Sequence, residues 1–283
     1  MSATLRIACV QMTSGAEIVP NIECSARLIR QAQDGGAQFV ALPEVVNLCE
    51  RRPGRAAKKV YSQDTEPALR AYRELAAELG IWILVGSLVV KLTDDRRLAN
   101  RSFLIDANGA IVAAYDKIHM FDVDLEGGES YRESSRFRPG ARAVVARSPW
   151  GAIGMTICYD MRFAYLYRML AKAGARILTA PSSFARPTGR AHWHVLLRAR
   201  AIETGCFMIA PAQCGDHEDG RKTHGHSLIV SPWGEILAEA GEKPGVIHAE
   251  LDLGHVDEAR AMVPSLTHDR EFSPPSVLRL AGE

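Results

Sequence analysis

Apolar runs and helical periodicities alternate from the start of the chain, and that rhythm predicts an α/β fold. Residues 5–10 form a short apolar run of strand type, 21–33 carry apolar residues at helical spacing, and 38–42 are apolar again. A second helical pattern over 66–79 stops at Gly80, a residue type that ends helices because it enters the left-handed region without a Cβ clash. The buried-strand run 81–87 comes next. Residues 102–115 read as two strands joined by Asp106-Ala107-Asn108-Gly109, a hairpin. Ser227-Leu-Ile-Val-Ser-Pro-Trp-Gly-Glu-Ile-Leu-Ala later echoes Ser102-Phe-Leu-Ile-Asp-Ala-Asn-Gly-Ala-Ile-Val-Ala, with the turn glycine in the same place. One echo does not make a solenoid. It predicts two similar sheets, one in each half, facing each other in a layered sandwich. Between the hairpins, strand-type runs at 152–158, 176–180 and 206–210 alternate with helices over 161–172 and 192–204, which would cover the outer faces. The stretch 121–140, rich in Asp, Glu, Gly and Ser, is the longest loop, and long loops in compact domains are often functional.

Composition narrows the partners. A chain of 283 residues with a hydrophobic share of 47% can bury one large core without disulfides or metals. The formal net charge of +1 creates no field that would gather nucleic acid or anionic lipid, so the expected partner is a small molecule. Six scattered cysteines without a CxxC pair read as thiols. The N-terminal run lacks the long apolar core and cleavage site of a signal peptide, and no stretch approaches the roughly 18 apolar residues of a membrane span. A cytoplasmic location is the default expectation.

Three local patterns carry chemistry. Cys158 follows the apolar run from Gly154 and precedes Tyr159-Asp160 and a helical pattern, which puts its sulfur at a strand-to-helix turn. A helix N-terminus there would favour a thiolate and bind a developing oxyanion, with Asp160 as cap. Taken alone, a cysteine is more often a packing residue. Glu44 ends Phe39-Val-Ala-Leu-Pro-Glu, a buried strand and proline that set a carboxylate just past the strand's carboxyl end. Ligands usually bind at that edge, and a desolvated carboxylate can act there as a base; the competing reading is a surface glutamate. Lys117 closes a hairpin strand and opens the long loop, from which its ammonium could stabilise a tetrahedral intermediate.

In order and spacing, Leu42-Pro-Glu44, Asp116-Lys-Ile-His-Met-Phe-Asp122 and the segment Gly154 to Phe163 resemble the signature segments of the nitrilase superfamily of carbon–nitrogen hydrolases. The resemblance extends from Arg6 to about Phe272 and implies a four-layer α-β-β-α sandwich, two facing mixed sheets covered by helices. A single domain over 1–272 with a tail at 273–283 is expected. Carried over by position, Glu44 is the general base, Lys117 the oxyanion stabiliser and Cys158 the nucleophile. A further glutamate matches Glu133, with Glu129 as the alternative alignment. The segments 188–193, 196–203, 210–213 and 225–234 are similar to the amidase branch, and Tyr159-Asp160 stands where true nitrilases carry Trp-Glu. The implied substrate is a small carboxylate-bearing amide of the deaminated-glutathione or α-keto-acid ω-amide type. Tyr159, Arg162, Phe184, Thr188 and His192 are the implied binding residues, with Arg162 pairing a substrate carboxylate. Arg190 departs from the pattern of these amidases at the substrate entrance. The alternatives are an N-carbamoyl-amide hydrolase, a nitrilase, or a silent binding or scaffold protein of the same fold. No cofactor and no metal are expected: the histidines of His192-Trp-His194 and of His224-Gly-His226 should point away from one another. Family members commonly assemble, so a homodimer or higher homo-oligomer is anticipated.

Overall fold

The computed structural model describes residues 4–124 and 130–275. In chain order the first half contributes β1 (Thr4–Gln11), α1 (Ile18–Asp34), β2 (Phe39–Ala41), the short α2 (Pro53–Ala56), α3 (Pro67–Leu79), β3 (Trp82–Lys91), β4 (Leu98–Ile105) and β5 (Ile111–Asp116). A small hairpin of β6 (Asp122–Asp124) and β7 (Ser130–Arg132) leads to the second half. That half continues with β8 (Val144–Ser148), β9 (Gly151–Met155), α4 (Ala164–Lys172), β10 (Ala175–Thr179), α5 (Arg186–Thr204) and β11 (Phe207–Ala210). The hairpin β12 (Cys214–Asp216) with β13 (Lys222–His224) precedes β14 (Leu228–Val230) and β15 (Ile236–Glu239), after which β16 (Gly245–Asp252) and α6 (Gly254–Met262) complete the fold.

Two six-stranded sheets result, ordered β16-β1-β2-β3-β4-β5 and β15-β14-β11-β10-β9-β8. Each is mixed and built on one plan. A parallel triplet (β1-β2-β3, β9-β10-β11) is flanked on one side by an antiparallel hairpin and on the other by one antiparallel strand. The echoed sequence segments are those two hairpins, β4-β5 and β14-β15. Strand alternation sorts the side chains. Leu5, Ile7, Phe39 and Leu84 meet Ile153, Met155 and Ile177 of the other sheet in one core. Ala8, Val10, Val40 and Ile83, on the opposite face, pack instead against Leu28, Ile29, Leu69 and Tyr72 of α1 and α3. With α4 and α5 over the second sheet, the expected α-β-β-α layering is found. Among the described residues no helix is long and apolar enough to cross a membrane.

Gly80 ends α3 at φ 64°, as the pattern predicts. Two elements run further than their periodicity suggests. The helix expected from 192 begins at Arg186, where Pro187 in the first turn presets a helical φ and gives up an N–H that has no helical acceptor. The strand expected over 81–87 continues to Lys91 through an irregularity between Val85 and Leu88. Gly86 sits in it, and a Cβ there would fall 1.9 Å from the Leu42 carbonyl oxygen. Only a glycine lets the end of β2 lie this close to β3. The long loop after Phe121 carries β6, β7 and a 3-10 turn over Glu133–Ser135. Glu129, the alternative to Glu133, lies outside the described residues.

Candidate active site

The carboxyl ends of both triplets meet at one place. Beyond β2, Leu42-Pro43 carries the chain to Glu44, and Ser87 clamps the next two residues, accepting from Val45 N–H at its hydroxyl (2.8 Å) and from Val46 N–H at its carbonyl (3.0 Å). Gln213 Nε2 donates to the Glu44 carbonyl (2.9 Å), which ties this turn to the second half. Glu44 as a residue is 4% exposed. Its Oε1 accepts from Lys117 Nζ (3.0 Å) and Asn100 Nδ2 (2.9 Å), and its Oε2 accepts from Ser183 N–H (2.7 Å). Lys117, 2% exposed, follows β5 and also donates to both oxygens of Glu133, at 2.9 and 2.8 Å. Phe121 N–H donates to Glu133 Oε2 (2.7 Å), so the loop folds back on the lysine that opens it. The result is a buried carboxylate–ammonium–carboxylate chain. Burial alone would push the Glu44 pKa up, but the Lys117 charge and the hydrogen bonds from Lys117, Asn100 and the Cys158 thiol outweigh it and hold the group below the usual carboxylate value.

Cys158 completes the group. β9 ends at Met155, and Cys158 opens a single 3-10 turn to Arg162 in a left-handed backbone conformation, φ 48°, unusual for a side chain with a Cβ. Its N–H donates to Pro181 O (3.0 Å), just past the end of β10. Asp160, fully buried, fixes the turn by accepting from Ile157 N–H (2.9 Å), Tyr115 Oη–H (2.7 Å) and His119 N–H (3.0 Å), and it pairs with His119 Nδ1 (2.7 Å). The expected thiolate does not result. Burial, then the nearby Glu44 charge, raises the thiol pKa, and Lys117 only partly opposes them. A one-turn 3-10 segment lacks the aligned peptides of a full helix that would favour the anion. The resting group is therefore a thiol beside a carboxylate able to take its proton.

Glu44, Lys117, Glu133 and Cys158 all line one cavity of about 270 Å³. Tyr159, Phe184 and Thr188 line it too. Arg162 is not in the wall; its guanidinium stacks over the rings of Tyr159 (5.9 Å) and Phe184 (5.6 Å), and its Nη2 meets His192 Nδ1 at 3.2 Å. His192 is an exposed residue of α5 behind it. Arg190 is exposed on the same helix and lies within electrostatic reach of His224. Sequence reasoning missed Asn100, Ser183, Gln213 and two arginines of the wall, Arg136 and Arg221. β4 carries Asn100, Arg101 and Ser102 in a row, so its alternation does not single Asn100 out.

Of the two histidine pairs, His224 and His226 do not diverge as expected, whereas His192 meets Arg162 and His194 meets Glu239. His224 and His226 stack with centroids 4.5 Å apart, and His194 Nε2 and His226 Nδ1 both contact Glu239 Oε1, at 3.0 and 2.8 Å. Strand alternation fails there because β13 ends at His224 and His226 has a left-handed backbone, φ 56°. All six cysteines are free.

A family model described as carbon-nitrogen hydrolase matches residues 6–261. The deaminated glutathione amidase of Rattus norvegicus is 39% identical over 279 residues, spanning 97% of this chain and 85% of that protein. Among solved structures, the Caenorhabditis elegans NitFhit protein superposes with a TM-score of 0.88 at 36% identity, over 95% of this chain and 66% of that one. Saccharomyces cerevisiae Nit3, described as a member of branch 10 of the nitrilase superfamily, gives a TM-score of 0.85 at 29% identity, covering 95% and 97%.

Proposed function

Since the chain belongs to the carbon–nitrogen hydrolase family, in which the similar protein of Rattus norvegicus is named an amidase, we propose that it hydrolyses a small carboxylate-bearing amide through a thioester on Cys158. One observation carries this reading: a thiol, two carboxylates and an ammonium converge in a single buried cavity. Glu44 takes the thiol proton as sulfur attacks the amide carbon. Negative charge gathers on the carbonyl oxygen, where the Lys117 ammonium and the Tyr159 N–H at the head of the 3-10 turn receive it, a contribution of about 3–4 kcal/mol per donor elsewhere. Glu44 then passes its proton to the departing nitrogen, which leaves as ammonia or an amine. Water, deprotonated by Glu44 and positioned by Glu133, attacks the thioester, and the carboxylic acid product departs as the thiol recovers its proton. Lys117 keeps its positive charge throughout, since each of its contacts is to a carboxylate.

A carboxylate-bearing substrate, such as the deaminated glutathione for which relatives are named, suits the cationic surroundings of the cavity. Arg162 is the assigned partner of one carboxylate, reached over Tyr159 and Phe184, with Thr188 and His192 on the same side. Apolar side chains left exposed on α4, α5 and α6, among them Tyr165, Met169, Val195 and Met262, support assembly as a homodimer. The decisive experiment measures release of amine or ammonia from a panel of short carboxylated and neutral amides, against Cys158→Ala. Turnover restricted to the intact thiol is expected. Equal, background-level release by both proteins on every amide would favour a silent binding protein instead.

A further inference from the structure

Three side chains far apart in the sequence meet at the β15 edge of the second sheet. His194 comes from the middle of α5, His226 from the link between β13 and β14, and Glu239 from the end of β15. His194 Nε2 and His226 Nδ1 lie 3.0 and 2.8 Å from the same oxygen, Glu239 Oε1, and the three ligand atoms are all within 4.8 Å of one another. Two independent N–H donors can take the two oxygens of a carboxylate separately. Here both rings turn to one, so the three groups face a common point. Ligands at about 2.0–2.1 Å from a tetrahedral zinc ion stand about 3.3 Å apart, and small rotations of these side chains would seat one.

The backbone behind the ligands is fixed. His226 holds its left-handed conformation, φ 56°, while its N–H donates to Gly241 O (3.1 Å) and its carbonyl accepts from Trp193 Nε1 (2.7 Å), one residue before His194. Glu239 pairs with Leu228 across the β14-β15 hairpin. A third ring, His224, stacks on His226 and keeps a buried Nε2 without a hydrogen-bond partner. His194, His226 and Glu239 have side-chain exposures of 35, 24 and 35%, open enough for an ion to enter. Arg190, which acts on His224, is exposed on α5, so water screens its repulsion of a cation.

We propose that His194 Nε2, His226 Nδ1 and the Glu239 carboxylate form a site for a divalent transition-metal ion of the zinc class, with water in the fourth position. Two imidazole nitrogens and one carboxylate oxygen suit zinc and its late first-row neighbours, whereas magnesium and calcium take oxygen ligands. The ion's role is structural: it ties α5 to the β14-β15 hairpin. His224 N–H donates to Phe184 O (3.0 Å), and Phe184 and Thr188 line the catalytic cavity, so the tie also steadies that wall.

Untagged, metal-free protein is titrated with Co²⁺, which absorbs in the visible when tetrahedral, and then with Zn²⁺. One equivalent of Co²⁺ should give visible bands without the near-ultraviolet charge transfer of a thiolate, and Zn²⁺ should abolish them while Mg²⁺ does not. With Zn²⁺ at roughly a hundredfold excess over Kd, the melting temperature should rise by about 5–10 °C. His194→Gln, His226→Asn and Glu239→Gln should each weaken binding about tenfold or more, since even partners behind metal ligands are worth that much. Asparagine is chosen at His226 because it tolerates a left-handed backbone. His224→Phe keeps the stacked ring and should keep the binding. No visible bands in the parent, a thiolate band, three variants that bind as the parent does, or lost binding in His224→Phe would overturn the site. None of these readouts depends on turnover, so they stand apart from the amidase reading.

Discussion

Lys117→Met tests the electrostatics at the centre of the site. The ammonium separates Glu44 from Glu133 at 3.0 and 2.8 Å, with side-chain exposures of 2% for Lys117, 5% for Glu44 and 14% for Glu133. Methionine keeps most of the length of the side chain and removes its charge, leaving two carboxylates facing each other out of water. Breaking a buried pair by deleting one partner costs about 3–5 kcal/mol. At roughly 2–4 °C per kcal/mol for a domain approaching this size, the melting temperature at pH 8 should fall by about 6–20 °C. The pH dependence is the sharper readout. In the native protein Glu44 is held below its unfolded value, so its contribution to stability is present above that value and fades as pH falls. Without the cation, burial and the facing carboxylate raise Glu44 above its unfolded value, so the folded variant takes up a proton and recovers stability as pH falls. Melting followed by circular dichroism from pH 8 to pH 5 should therefore show the gap between variant and parent narrowing. A gap that stays constant over that range, or a loss under about 1 kcal/mol at pH 8, would refute the account of an essential central cation.

Other perturbations probe the same geometry. Gly86→Ala should abolish activity in a protein that still folds, because the new methyl displaces the Leu42-Pro43 backbone and with it Glu44; turnover assays and circular dichroism together check this, and near-normal turnover would contradict it. Asp160→Asn should cost about 2–4 kcal/mol in denaturant unfolding and slow turnover, since a charged acceptor of several hydrogen bonds becomes a mixed donor and acceptor. Alkylation of Cys158 by iodoacetamide should show no inflection between pH 6 and pH 9, and a plateau reached near neutrality would mean a resting thiolate. His224, buried and pushed down to about 4, should make the protein lose stability as pH falls from about 6.5 to about 4. His224→Phe should flatten the melting curve over that window.

How much of this was legible in the sequence depended on the range of the interaction. Local periodicity gave the strands and helices, and the repeated turn glycines Gly109 and Gly234 announced the two hairpins, because those features are fixed within a few residues. Glu44, Lys117 and Cys158 could be named because each ends a strand and lies in a recognisable segment. Asn100, Ser183, Arg136 and Arg221 could not, since their significance comes from neighbours far along the chain: Asn100 reaches Glu44 across 56 residues and Ser183 reaches it across 139. The histidine cluster was misread for a related reason. A left-handed residue such as His226 breaks the alternation on which a reading of strand faces depends.

The doubled plan of the sheets divides the chemistry between the halves of the chain. Leu42-Pro43 and Ala180-Pro181 are equivalent exits from the middle strands of the two triplets; the first delivers Glu44, the proposed acid–base group, and the second braces the Cys158 backbone through its N–H. Neither half alone would own a working centre, so activity reports whether the halves are docked. β16 acts as the clasp: it comes from the end of the chain yet zips along the whole of β1, from Thr4 opposite Asp252 to Gln11 opposite Gly245. Shortening the chain ahead of that strand would be felt as a lost reaction before it was felt as a lost sheet.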